Sequence, residues 1–136
     1  MKKMILILTV LFSTQVFALD IRNPADFEYV HCVVTQVSSR QIVTHYVFDV
    51  RQPERYRLYT ARATQGTKAQ DLARLRMVDP KVTQAQAEGY DVVWKSAPNR
   101  IQFNLQITDN DGQNLLGYLV SDRKLVEISC RDIVLE

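Results

Sequence analysis

The chain has two histidines, His31 and His45, and their type and spacing are compatible with a chemical role. Each lies in a run rich in β-branched and aromatic residues. If the two runs pair as a hairpin, the imidazoles become diagonal neighbours on its outer face, with Asp49 one pair further along. Two imidazoles and a carboxylate could ligate a divalent metal ion. A diagonal pair is near the limit of reach and no third ligand is fixed, so ordinary surface or half-buried histidines are the favoured interpretation.

The segment Asp109-Asn110-Asp111-Gly112 has the composition of the start of a calcium-binding loop. Such a loop usually ends in a bidentate acid at its twelfth position, which here is Val120. The favoured interpretation is therefore a hairpin turn, with Gly112 where a positive φ is needed.

The sequence carries none of the usual patterns of catalysis. It has no G-x-S-x-G segment, and its four glycines are scattered rather than gathered into a phosphate-binding loop. Neither cysteine belongs to a CxxC pair. The sequence therefore predicts a protein that is not an enzyme and that uses no cofactor.

A basic stretch is the best candidate for a binding surface. Residues 51–76 contain seven arginines and lysines against two acids. Arg55, Arg57 and Tyr59 share one face of a predicted strand, and this surface suits an anionic partner. A solvated strand face that discourages aggregation is the competing interpretation. The residues assigned to this basic face are Arg51, Arg55, Arg57, Tyr59 and Arg62.

The first eighteen residues have the layout of a signal peptide. Lys2 and Lys3 precede a short apolar segment, and Ala18 ends a suitable cleavage site, so the mature chain is expected to begin at Leu19. Residues 19–136 then form a single exported domain, and the short leader favours the periplasm. The apolar run of the leader is too short to span a bilayer, and no transmembrane segment is predicted after cleavage.

Removal of the leader also changes the charge balance. Without Lys2 and Lys3 the chain has 15 basic and 15 acidic residues. A neutral mature domain gives no reason to expect binding to nucleic acid.

The only two cysteines are Cys32 and Cys130. In an oxidising compartment a disulfide between them is expected, and it would close a loop of nearly the whole mature domain.

Alternating apolar and polar residues predict an antiparallel β domain. In the first hairpin, Val30 is expected to face Phe48, Cys32 to face Tyr46 and Val34 to face Thr44, which places the apolar even-numbered residues on one face. Five further runs read as strands: Arg55–Ala63, Tyr90–Lys95, Arg100–Thr108, Leu115–Ser121 and Leu125–Val134.

The segment between residues 64 and 88 has signals of both helix and strand. Thr67 with Gln70 fits a capping box, and a second helix could be capped by Asp79 and run from Pro80 to Gly89. Residues 73–77 also alternate as a strand would. One or two short helices around residues 67–88 are the prediction.

Both cysteines lie on inward faces at opposite ends of the chain, which indicates that the first and last strands are close together. We therefore expect a small antiparallel β-barrel of about seven to eight strands, with a curled β-sandwich as the alternative.

The layout Tyr29-x-x-Cys32 with a late Cys130 resembles that of periplasmic inhibitors of lysozyme. The resemblance covers layout and export. Trp94-Lys95-Ser96 does not reproduce the loop motifs with which such inhibitors block the enzyme. A basic enzyme would also be met by acidic loops, whereas the best-defined surface here is basic.

The functional prediction is a soluble periplasmic protein-binding module, such as an inhibitor, an immunity-type factor or a subunit of an envelope complex. Its partner would be another protein or an anionic envelope component. One alternative is a carrier of a small hydrophobic ligand or lipid in a barrel cavity, and the state of the interior would discriminate the two. A metal-dependent enzyme that uses His31 and His45 is the other alternative.

Overall fold

The computed structural model describes residues 28–109 and 114–133, and over these ranges the chain forms a closed antiparallel β-barrel. Each strand pairs with the next one along the chain, and the last strand pairs with the first. The predicted signal peptide and the tip of the predicted turn after Asp109 lie outside the described residues. The strands are β1 (Tyr29–Val34), β2 (Ile42–Asp49), β3 (Tyr56–Thr64), β4 (Arg76–Ala85), β5 (Val92–Ser96), β6 (Ile101–Ile107), β7 (Asn114–Ser121) and β8 (Lys124–Ile133).

The predicted register of the first hairpin is confirmed over most of its length. Val30 pairs with Phe48 and Cys32 with Tyr46, so the even-numbered residues of both strands face the interior. The β1–β2 ladder ends there, and the predicted pair of Val34 with Thr44 is not part of it.

Gln65 occupies the point where β1 and β2 part. Its side-chain amide donates to the Val34 carbonyl at 3.1 Å, and its backbone N–H donates to the Gln41 carbonyl at 3.0 Å. These two backbone carbonyls, which a longer β1–β2 ladder would have paired, therefore accept hydrogen bonds from Gln65 instead.

Aromatic side chains pack against one another in the barrel interior. The ring of Phe48 lies 4.6 Å from that of Trp94 and 4.8 Å from that of Phe103, measured between centroids. Tyr46 and Tyr56 extend this cluster through edge contacts to Phe103 and Trp94. An eight-stranded barrel is just wide enough for side chains to fill, and these rings occupy that space.

The structure corrects the second of the two predicted helices. The first predicted segment contains a single turn of 3-10 helix, Ala69–Asp71. The helix predicted from Pro80 to Gly89 is wrong, because Arg76–Ala85 is the strand β4. Pro80 is tolerated there because the register between β3 and β4 shifts at this point, and proline is accepted at such bulges.

The disulfide between Cys32 and Cys130 is confirmed, and it lies on the seam that closes the barrel. The two residues are direct partners in the β1–β8 ladder, with Cα atoms 4.0 Å apart. Both side chains are buried in the core. Among the described residues, no helix is long and apolar enough to cross a membrane.

Candidate functional sites

The two histidines form a buried, hydrogen-bonded pair on the outer face of the barrel. Nε2 of His31 lies 2.8 Å from Nδ1 of His45, and the rings stack with centroids 5.1 Å apart. His45 is fully buried and His31 is 8% exposed. The end of β3 also contacts the pair, since Nε2 of His45 lies 2.9 Å from the carbonyl oxygen of Thr64, the last residue of that strand. The predicted diagonal placement therefore becomes direct contact.

The bond to Thr64 determines the tautomers of the neutral pair. A carbonyl oxygen can only accept, so Nε2 of His45 must carry the hydrogen. Nδ1 of a neutral His45 is then an acceptor, and Nε2–H of His31 must donate to it. Nδ1 of His31 is left with a lone pair and has no hydrogen-bond partner among the described residues.

This arrangement differs from a chelate in which the two imidazoles and Asp49 bind a divalent metal ion. Two of the four ring nitrogens share a hydrogen bond, and a third donates a hydrogen bond to a carbonyl oxygen. The carboxylate of Asp49 is held by Arg51. Over residues 28–109 and 114–133, no group of three histidine, cysteine or acidic side chains could hold a metal ion.

Burial lowers the pKa of His31 from 6.5 to about 4, with further contributions from His45 and Arg131. Because the pKa is lower in the folded protein than in the unfolded chain, protonation favours unfolding. The contribution of neutral His31 is therefore complete above pH 6.5 and is lost as the pH falls toward 4.

We expect acidification from pH 7 to pH 4 to remove about 3 kcal/mol from the free energy of unfolding through His31 alone, at 1.36 kcal/mol per pKa unit. Urea titrations at the two pH values, on the wild type and on His31→Gln, measure this loss. Gln retains a donor for Nδ1 of His45 but cannot be protonated in this range. The lowered pKa of Asp49 contributes in the same direction to both proteins, so it cancels in the comparison. An equal loss in both proteins would contradict the assignment.

A second site surrounds the end of β2, where Arg51 is held in place from two sides. Its Nε and Nη2 donate to the two carboxylate oxygens of Asp49 at 2.9 and 2.8 Å. Its guanidinium lies 5.0 Å from the centroid of the Tyr29 ring. The bonds from Arg51, together with the nearby charge of Arg57, hold the pKa of Asp49 below its usual value. A bidentate pair of this kind gives Arg51 a defined orientation.

Arg55 and Arg57 complete this arginine cluster (Arg51, Arg55 and Arg57). Arg57 is the cross-strand partner of Asp49, and the three arginines line a pocket of about 210 Å³ with Asp49 and Gln52. Arg55 and Arg57 are exposed and have no ion-pair partner in the described part of the chain. One carboxylate thus faces three guanidinium groups.

The structure brings together only part of the predicted basic face. Tyr59 occupies the next outward position on β3 after Arg57 and is half-buried. Arg62 is on the opposite face of the same strand, at its other end. Nη1 of Arg62 donates to the hydroxyl of Thr44, its cross-strand partner, at 3.1 Å. Arg62 therefore lies apart from the arginine cluster.

Sequence reasoning missed a crevice on the outer face, beside His31. Its floor consists of outward residues of β1, β7 and β8, and its wall is the segment 65–70; its volume is about 910 Å³. Strand periodicity does not show which segment will fold back over a sheet, so the sequence contained no direct signal for this feature.

Asp79 is a further residue that the sequence did not single out for burial. It is 2% exposed, and its Oδ1 accepts a hydrogen bond from the backbone of Lys81. Its Oδ2 is buried without a partner among the described residues. This side chain bonds to the backbone two residues further on, and it supports the β4 bulge rather than the helix cap that was predicted.

The fold and these sites define a closed eight-stranded antiparallel barrel with an aromatic interior and polar sites on its outer face. Trp94 and Ser96 lie in β5 and are buried, each 1% exposed. Comparison with known proteins gave no match: no family model, no curated protein and no solved structure matches this chain.

Proposed function

We propose that this protein is an exported, non-catalytic binding module that presents the arginine cluster to an acidic surface of a partner protein. The observation that carries the proposal is the imbalance of charge at the end of β2. Asp49 is engaged by Arg51, and the guanidinium groups of Arg55 and Arg57 remain exposed beside it. Arginine forks match carboxylate geometry, so acidic side chains of a partner are the natural counterpart.

The rigidity of Arg51 adds to this argument. Ordering a long side chain at an interface costs about 0.5–1.5 kcal/mol, and Arg51 is already ordered by Asp49 and Tyr29. Its charge also neutralises that of Asp49, which would otherwise repel an acidic partner. The cluster is therefore a partly preorganised anion-binding surface.

The packed interior supports a role at the surface rather than as a carrier. Phe48, Trp94 and Phe103 are completely or almost completely buried and contact one another in the middle of the barrel. A hydrophobic ligand would have to displace these rings. Burial of rings of this size is among the largest favourable contributions in a core, so the displacement would be costly.

Export to the periplasm is part of the proposal. Two features support it: the basic and apolar pattern of residues 1–18, and the oxidised pair of Cys32 and Cys130.

Charge reversal tests the arginine cluster directly. We expect Arg55→Glu/Arg57→Glu to weaken partner binding at least tenfold, on the scale of the 2–5 kcal/mol lost when a buried charge pair is broken. The matched control is Arg123→Glu/Lys124→Glu, which changes net charge equally at an exposed turn elsewhere on the barrel. The three proteins are immobilised and used for quantitative capture from a periplasmic extract, followed by affinity measurement on each captured protein.

Two outcomes would overturn the proposal. Equal capture by all three proteins would remove the cluster from the binding surface. Capture of no protein, with binding to phosphatidylglycerol vesicles but not to phosphatidylcholine vesicles, would replace the protein partner with an anionic lipid surface.

A further inference from the structure

The crevice on the outer face is separate from the arginine cluster and has its own chemistry. Val33 and Leu116 give its floor an apolar part, and His31 and Arg131 give it a polar part. The wall is held by Gln65, which bonds to the carbonyls of Val34 and Gln41, and by the 2.8 Å contact between the hydroxyls of Thr64 and Thr67. The wall is thus fixed to the barrel at its base. A volume of about 910 Å³ is within the range of small-ligand sites.

His31 contributes a hydrogen-bond acceptor to this crevice. Its Nε2–H donates to Nδ1 of His45 on β2, so its own Nδ1 carries a lone pair. The two ring nitrogens point in different directions, so the bond from Nε2 to His45 leaves Nδ1 unblocked, and His31 lines the crevice. A ligand hydroxyl could donate to this nitrogen without disturbing the pair.

Arg131 and Lys68 contribute positive charge on two sides of the crevice. Arg131 is the cross-strand neighbour of His31 on β8, and Lys68 lies on the wall. Both side chains are exposed, and neither has an ion-pair partner in residues 28–109 and 114–133. Asp132 also borders the crevice but is the partner of Val30, an inward-facing position.

We infer that this crevice binds a small hydroxylated carboxylate, of which an acidic sugar is the simplest case. The carboxylate pairs with Arg131 and Lys68, and a neighbouring hydroxyl donates to Nδ1 of His31. The side-chain amide of Gln70 is available to the remaining hydroxyls, and the apolar floor accommodates the face of the ring.

Three probes separate the parts of this inference: D-glucuronate, D-glucose and cyclohexanecarboxylate. Glucose lacks the carboxylate of glucuronate, and cyclohexanecarboxylate lacks its hydroxyls. We expect only glucuronate to produce saturable shifts in the amide NMR signals of residues 65–70 and 129–131. Equal saturation by glucose would overturn the role of Arg131 and Lys68, and equal saturation by cyclohexanecarboxylate would overturn the role of His31.

Substitutions connect binding to the crevice. Arg131→Gln should weaken glucuronate binding at least tenfold, since hydrogen bonds to charged groups contribute about 1.5–3 kcal/mol. Lys124→Gln, at the start of the same strand, and Arg55→Glu/Arg57→Glu should leave it unchanged. Loss of binding in the Arg55/Arg57 variant but not in Arg131→Gln would place the anion at the arginine cluster and overturn the inference. Absence of saturable binding by any of the probes would also overturn it.

Discussion

Removal of the disulfide by Cys32→Ala/Cys130→Ala is expected to lower the free energy of unfolding by about 4–5 kcal/mol. The bond joins residues 98 positions apart, so its loss releases a loop of nearly the whole described domain in the unfolded chain. It also joins β1 to β8, the pairing with the greatest sequence separation in the barrel. Urea titrations of the two proteins under oxidising conditions measure the difference. Alanine is chosen because the site is buried and a serine hydroxyl would be unpaired there.

Reduction of the wild type provides the control. The wild type in dithiothreitol should unfold close to the midpoint of the double variant, because both lack the cross-link. The intact mass of protein purified from the periplasm, expected to be that of a chain from Leu19 less two hydrogens, establishes the starting state and the cleavage site together. Two titratable thiols in that protein, or coincident unfolding curves of the wild type and the double variant, would contradict the prediction.

Where strand period and turn chemistry agree, the sequence is sufficient to predict the fold. The pairs Val30–Phe48 and Cys32–Tyr46 follow from alternation, because a slip by one residue would turn the inward side chains of one strand outward. The same alternation places Phe103 and Leu105 in the core. Both cysteines then lie on inward faces, and this observation indicates the closure of the barrel.

The sequence fails where local signals imitate another element. Asp79-Pro80 has the form of a helix start, yet Val82 continues the inward face of a strand. The deciding factor is the long-range pairing of β4 with β3, and no local window contains it. Charge composition groups Arg62 with Arg57, whereas alternation from Leu58 places Arg62 on the opposite face. The strand alternation of β3 is therefore sufficient to separate these two arginines.

The candidate sites depend on contacts that strand periodicity does not encode. Alternation predicts His31 and His45 as diagonal neighbours, but their tautomers depend on the carbonyl of Thr64 at the end of β3. The segment after β3 folds back beside β1, where the side chain of Gln65 bonds to the carbonyl of Val34, and this contact has no periodic signature. The crevice and its proposed ligand follow from this fold-back, so they could be inferred only from the structure.

Gly117→Ala is expected to lower the free energy of unfolding by more than about 3 kcal/mol or to prevent folding, a size reserved for core or backbone disruption. A Cβ at this position would lie 1.8 Å from the carbonyl oxygen of Asn104 and 2.9 Å from the Cα of Leu105. Both are backbone atoms of β6, and Gly117 is the ladder partner of Leu105. No side-chain rotation can relieve the contact, so β6 and β7 must separate and the closed barrel must open on that side.

Gly66→Ala is the matched control, because a Cβ at Gly66 would meet nothing within 4 Å. Its effect on the free energy of unfolding is expected to stay within about 0.5 kcal/mol, as for most surface substitutions. Thermal and urea unfolding of both variants, with soluble yield as a second measure, gives the comparison. If the two variants unfold at the same midpoint, the close approach of β6 to Gly117 is not a constraint on this barrel. If only Gly117→Ala is destabilised, the β6–β7 ladder is as necessary to closure as the cross-linked seam between β1 and β8.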